Sequence, residues 1–286
     1  MILAGVAKQA STGNLIDRFR NRVVFPITHD GQILGFIARR HPDADETAGP
    51  KYLNTPETPL FHKGAQLYGH APSLLRGGRP VLVEGTVDAI AVTLATRGAY
   101  AGVAPLGTAL TREQARELRR YTTMPVVATD SDKAGQAAAK RDYWLLTELG
   151  HDPLLAALPE GADPADLVAD GRALELDGSL RASTPLSQAM LAQVMVEHRG
   201  IARIDQAIRV IASAAPSRWE RSIAELSTTT GQSTRRIRVT LAAHLGVECV
   251  GTLGSERHSS STLLHGSDPT TVFGASRGHG LNAPER

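Results

Sequence analysis

Several carboxylates in this sequence stand at the ends of short apolar runs. Val81-Leu82-Val83 leads into Glu84-Gly85, and Val126-Val127-Ala128-Thr129 leads into Asp130-Ser131-Asp132. Each run reads as a buried strand carrying acids at its carboxyl end. A parallel sheet flanked by helices places ligands in the crevice at that end of its strands. Three carboxylates from two strands would then converge on one spot, and clustered hard oxygens suit Mg²⁺. An Asp at a strand end can equally be the N-cap of the next helix, and that reading stays open for Asp130 and Asp132. Asp88, one helical turn after Glu84, either reaches the same site or is an exposed helix-face acid.

These acids need a scaffold. From Pro80 the pattern alternates β-α-β-α-β-α-β: strand 81–84, helix 87–96, strand 100–104, a helix opened by Thr111-Arg112-Glu113-Gln114, strand 125–129, helix 134–149, and a fourth run 153–158. Thr111 with Gln114 is a capping-box pattern. Such alternation predicts an α/β segment with a mostly parallel sheet. Upstream, residues 22–27 and 33–38 are apolar runs around Asp30-Gly31, a hairpin signal. Residues 1–20 read as a helix end and a turn, entered as if an upstream segment were absent. Residues 51–56 and 61–64 read as irregular. Past residue 181 strand signals stop. Residues 186–198, 204–214, 219–229 and 235–245 have helical periodicity, and 251–286 has the composition of a disordered tail. The domains expected are therefore 1–78 (hairpin and basic loops), 79–180 (α/β), 181–248 (helical) and 249–286 (tail).

The 286 residues carry a formal charge of only +2, so net charge gives no nucleic-acid signal. Arg18, Arg20, Arg22, Arg39, Arg40, Lys51 and Lys63 nevertheless fall ahead of the acidic centre. The single cysteine, Cys249, excludes an internal disulfide and a cysteine-based zinc module. No apolar run of 18 residues and no export signal is present, so a cytoplasmic chain without membrane contact is expected. Aromatics make up 4% of the chain, which argues against a base-stacking platform.

The phrases 22–27, 35–39, Lys51-Tyr52-Leu53-Asn54-Thr55-Pro56, Phe61-His62-Lys63-Gly64 and Gln66-Leu67-Tyr68-Gly69 recur in that order in bacterial DNA primases. Glu84-Gly85-x-x-Asp88, Leu106-Gly107-Thr108, Asp130-Ser131-Asp132-x-Ala134-Gly135 and Asp163-Pro164 continue the match. Residues 80–170 resemble a TOPRIM domain, and 1–78 resembles part of the primase polymerase core beside it. The resemblance implies Mg²⁺ (or Mn²⁺) held by Glu84, Asp130, Asp132 and Asp163, with Glu84, Asp130 and Asp132 catalytic and Glu84 orienting metal or acting as general base. It also implies nucleotide or template binding by Arg39, Lys51, Asn54 and Lys63. Solvated surface charge is the alternative for each of these basic residues. Gly107 and Thr108 would contact phosphate or form a plain tight turn. The implied activity is synthesis of short RNA primers on single-stranded DNA from ribonucleoside triphosphates. A helicase, a relaxase or a separate upstream primase segment would be the partner. Zinc is not expected.

Two departures qualify this. The family has Asp-Pro-Asp after the fourth strand, whereas this chain has Asp163-Pro164-Ala165-Asp166, so one acid is lost or displaced to Asp166, which can otherwise simply favour the helix dipole. The family's zinc ribbon and the first half of the polymerase core have no counterpart. The Asp-Pro-Ala-Asp-Leu phrase also resembles TOPRIM domains fused to actinobacterial conjugative relaxases and plasmid primases. A non-catalytic or split accessory unit, or a TOPRIM nuclease, are the alternatives. Separately, residues 223–226, Gly231-Gln232-Ser233 and 235–238 resemble a helix-turn-helix with a basic second helix, a pattern that packed helices also show without DNA.

Overall fold

The computed structural model describes residues 1–44, 49–69, 71–129 and 132–247. Asp130 and the 249–286 tail lie outside the described residues. Residues 1–20 form no helix. They make a two-stranded antiparallel hairpin, β1 (Ala7–Gln9) and β2 (Leu15–Asp17), because Gly13 at φ 83° lets the chain reverse. β3 (Arg22–His29) and β4 (Gln32–Arg40) form the expected hairpin. Asp30 (φ 46°) and Gly31 (φ 78°) supply the two left-handed residues of a tight turn. β5 (Tyr52–Asn54), expected as irregular chain, adds to β4 with Arg39 opposite Tyr52.

A six-stranded sheet follows, in the order β11-β10-β9-β7-β8-β6. Its inner strands β7 (Arg79–Leu82), β8 (Tyr100–Pro105), β9 (Val126–Val127) and β10 (Leu154–Leu155) are parallel. The edges β6 (Leu67–Gly69) and β11 (Thr184–Pro185) run antiparallel to them. A strand thus occurs beyond residue 181, where none was expected. Two or three residues are too few to show periodicity.

α1 (Ala71–Leu75) precedes β7, and α2 (Thr86–Ala95), α3 (Arg112–Leu118) and α4 (Lys133–Glu148) connect the parallel strands. Both hydrogen bonds of the Thr111–Gln114 capping box form. α5 (Pro164–Ala169) and α6 (Ala173–Arg181) lead to β11, then α7 (Leu186–Glu197), α8 (Gly200–Ser213), α9 (Trp219–Thr230) and α10 (Thr234–His244). The chain passes from β7 to β8 on one side and returns to β9 on the other. That order reversal opens a crevice at the carboxyl end of β7.

Alternation along β7 divides the core. Val81 and Val83 face α2, α5 and α6 through Ala89, Val92, Leu167, Leu176 and Leu180. Leu82 faces the other layer, where Leu118, Tyr143, Leu146, Met190, Ile208, Ile223 and Ile237 are buried together. Helices α7–α10 therefore share a core with the sheet, and Tyr143 on α4 reinforces this by donating to Val210 O of α8 at 3.2 Å. Ile27, Ile37, Phe61 and Leu106 join the N-terminal sheet to the larger one. Among the described residues no helix is long and apolar enough to cross a membrane.

Candidate metal and nucleotide cleft

At the carboxyl end of β7 lies an open cleft of about 470 Å³ lined by the acids Glu84, Asp88, Asp163 and Asp166 together with Arg39, Lys51 and Tyr52 from β4, β5 and the residue before β5. Glu84 lies two residues past the end of β7, and its side chain is exposed with no hydrogen-bond or ion-pair partner among the described residues. Asp88 sits one turn into α2, where its Oδ1 accepts from Ala165 N at 3.3 Å. This hydrogen bond ties the β7–α2 corner to the start of α5.

The helix-cap reading is realised for two of the predicted ligands. Asp132 caps α4, accepting from Gly135 N at 2.7 Å. Asp163 caps α5, accepting from Asp166 N at 2.6 Å. A cap of this kind contributes about 1 kcal/mol, and it uses only Oδ1 of each carboxylate. Asp163 lines the cleft, whereas Asp132 does not. Among the described residues no three metal-ligating side chains already converge. The donor set still fits a hard divalent ion: carboxylate oxygens, Glu84 uncommitted, and open space for water and phosphate to complete the shell. Asp166 lines the same cleft as Asp163, although Ala165 stands where an acid was expected.

The predicted basic residues divide into two places. Arg39 and Lys51 reach the acidic cleft, each 5.9 Å from the centre of the Tyr52 ring. Asn54 and Lys63 do not line it. Asn54 Nδ2 donates to Leu106 O at 2.8 Å and its Oδ1 is buried without a partner. The Lys63 side chain lies beside the exposed Gly107, its Nζ 3.7 Å from where a Cβ would be. Thr108 is exposed next to it. Arg18 and Arg22, two of the basic residues ahead of the acidic centre, donate to backbone carbonyls of Asn54 and Pro50 and so brace β5 and the loop before it. His62, flanked by Phe61 and Lys63, pairs with Glu57 at 3.0 Å.

Two residues escaped the sequence reading. Tyr52 faces the cleft because the β4–β5 register sets it opposite Arg39. Burial raises its pKa; Arg39 opposes this, and the charges of Asp88 and Asp163 add to it, so the phenol keeps its proton at neutral pH. Asp142 lies on the buried stripe of α4 with Gly135, Ala139, Tyr143 and Leu146, a stripe whose spacing is visible in the sequence. Its Oδ1 has no hydrogen bond, and Arg141 Nε approaches only to 3.8 Å.

Burial pushes Asp142 up to about 6, with Arg141 opposing and the charge of Glu84 adding. A carboxyl with a raised folded pKa binds its proton more tightly in the folded state. The contribution of Asp142 to stability is then fully present below the ordinary carboxylate range and is lost as pH rises through about 6. Asp142→Asn should remove that loss and raise stability at pH 7.5 by about 1–2 kcal/mol. Thermal melts of both chains in EDTA between pH 4 and 8 would check this. Parallel pH profiles would refute it.

Residues 1–73 match the family described as the N-terminal domain of the DNA primase catalytic core, and 81–168 match a Toprim-like domain. A DNA primase domain from Pseudomonas aeruginosa superimposes with a TM-score of 0.65 at 33% identity, covering 85% of this chain and 79% of that one. The chain belongs to the DNA primase catalytic-core family. A DnaG primase catalytic domain bound to single-stranded DNA is similar at 30% identity and a TM-score of 0.67, covering 82% of this chain and 76% of that one. The DNA primase of Clostridium acetobutylicum is 42% identical over 171 residues, which are 59% of this chain and 28% of that protein. The chain spans 26–35% of the length of the curated primases it matches. The resemblance to relaxase-fused domains finds no support in these matches.

Proposed function

We propose that this chain carries the nucleotidyl-transfer site of a primase, joining ribonucleotides into short primers on single-stranded DNA with Mg²⁺ or Mn²⁺. The observation that carries this reading is the cleft itself, where four carboxylates, Arg39 and Lys51 line one open space. Glu84, Asp163 and Asp166 would hold the metal, and the Asp130 and Asp132 of the primase-like phrase would be its further ligands. A divalent ion held by these carboxylates would supply the positive charge that polarises the α-phosphate and offsets the leaving pyrophosphate. Glu84 orients the attacking 3′-hydroxyl and takes its proton. Arg39 grips a triphosphate with its planar fork, Lys51 acts as a point charge, and the Tyr52 phenol donates between them. Lys63, with the exposed Gly107 and Thr108 beside it, would meet the template strand, while Asn54 would position that turn through its hydrogen bond to Leu106 O. A relative bound to single-stranded DNA, and a Mycobacterium tuberculosis relative bound to double-stranded DNA, support a nucleic-acid substrate.

The cations opposite the acids favour polymerisation over hydrolysis, since cleaving a phosphodiester needs no triphosphate site. Ala165 favours a second reading, an accessory unit that binds nucleotide and works only with a partner such as an upstream primase segment. The test is incorporation of labelled ribonucleotides by the purified chain on mixed-sequence single-stranded DNA, with Mg²⁺ or Mn²⁺. Metal-dependent short products would establish the primase reading. Bound triphosphate without product would favour the accessory one.

A further inference from the structure

Away from the acidic cleft, positive charge is concentrated in the last three helices. Residues 199–247 hold eight arginines, no lysine, and three carboxylates (Asp205, Glu220 and Glu225), a net of +5 in a chain whose total is +2. Four of these arginines are committed. Arg218 pairs with Asp152 at 2.7 Å and Arg238 with Glu220 at 2.6 Å. Arg209 lies 5.3 Å from the centre of the Trp144 ring, and Arg203 donates to His198 O at 2.8 Å. The side chains of Arg235 and Arg236 are exposed and have no hydrogen bond or ion pair among the described residues.

Their position does not serve stability. Both lie in the first turn of α10, where a cation opposes the helix dipole at a cost of about 0.3–1 kcal/mol. The local geometry presents them outward. α9 ends at Gly231 in the left-handed conformation (φ 70°), and Ser233 caps α10 three residues after α9 stops. Ile208, Ile223, Leu226, Ile237 and Leu241 bury the inner faces of α8, α9 and α10 together. This is the helix-turn-helix arrangement, with the amino-terminal end of the second helix free to approach a groove. Beside it runs a cleft of about 500 Å³ lined by Arg203, Asp205, Thr229, Thr230, Gln232 and Arg236.

We infer that α10 and this cleft form a second nucleic-acid contact, in which Arg235 and Arg236 bind the phosphate backbone of a duplex. A single strand fits less well. Recognition of single strands relies on stacking aromatics. The only Phe, Tyr or Trp between 199 and 247 is Trp219, whose Nε1 donates to Ala214 O at 3.0 Å.

The test uses the whole chain in EDTA without triphosphates, so it is independent of primer synthesis. Fluorescence anisotropy would follow a labelled 20-base-pair duplex and a single strand of equal length across a salt series. Replacing both arginines by alanine (R235A with R236A) should weaken duplex binding on the order of tenfold and flatten its log–log salt slope by about 2, one unit per lost phosphate contact. The single strand should change less. A control pair on α6, R172A with R181A, removes the same charge elsewhere and should leave duplex binding near the parent value. Unchanged duplex affinity in the α10 pair, equal loss on both nucleic acids, or equal loss in the control pair would each overturn the inference. Should the alanine pair melt early, the glutamine pair (R235Q with R236Q) gives the same reading.

Discussion

Glu84→Ala should lose ribonucleotide incorporation about a thousandfold, roughly 4 kcal/mol of transition-state stabilisation, while the chain stays folded. The two halves of that expectation have separate causes. Activity depends on Glu84 because it stands in the crevice past the end of β7 with its carboxylate free of hydrogen bonds and ion pairs among the described residues, able to meet metal and the attacking hydroxyl. Stability does not depend on it, because an exposed side chain without hydrogen bonds supports nothing else in the fold. Removing one of several like charges around the cleft should even raise the melting temperature slightly in EDTA. Adding Mn²⁺ should raise the parent's melting temperature by mass action on the folded state, and the variant's by less. Asp163→Ala is the contrasting case. It removes the α5 cap as well as a cleft carboxylate, so it should cost about 1 kcal/mol of stability in addition to activity. Glu84→Ala with parental primer synthesis would sink the assignment whatever its melting curve.

Much of the scaffold was legible because its signals are local. Asp30-Gly31 names a turn through the φ values it permits, and Thr111 with Gln114 names a helix start through two reciprocal hydrogen bonds. Helix α4 was expected over 134–149 and spans Lys133–Glu148. What escaped was short or relational. β11 has two residues and β5 three, and such strands exist only because a neighbour pairs with them. The site divides the same way. Glu84 was visible as an acid after an apolar run and Asp163 through the primase-like Asp163-Pro164 phrase, and both line one crevice. Tyr52 was not, since its place opposite Arg39 is a matter of register. The separation of Asn54 and Lys63 from Arg39 and Lys51 likewise follows from tertiary contacts, although all four stand within 25 residues of one another.

Gly102→Ala should be the most damaging small substitution in the chain, costing about 3 kcal/mol or more and leaving little soluble protein. Gly102 is on β8 beneath α2, and a Cβ there would overlap the carbonyl, Cα and carbonyl carbon of Ala89. These are backbone atoms of a helix, so no rotamer change can relieve the overlap. The helix itself must move. The approach is locked further by Thr93 Oγ1, which donates to Ala89 O at 2.9 Å and accepts from Gly102 N at 3.0 Å. Displacing α2 also carries Asp88 away from Ala165 N and re-aims the β7–α2 corner that presents Glu84. Activity should therefore fall in whatever fraction remains folded. Gly178→Ala provides the opposite expectation. Gly178 is in the middle of α6 with nothing within 4 Å of its would-be Cβ. A methyl there only restricts the unfolded chain and favours helix, and should add about 0.5–1 kcal/mol. Urea denaturation of the two variants beside the parent separates these signs. A Gly102→Ala midpoint at or above that of the parent would mean that α2 does not rest on β8 as closely as the packing at Ala89 requires.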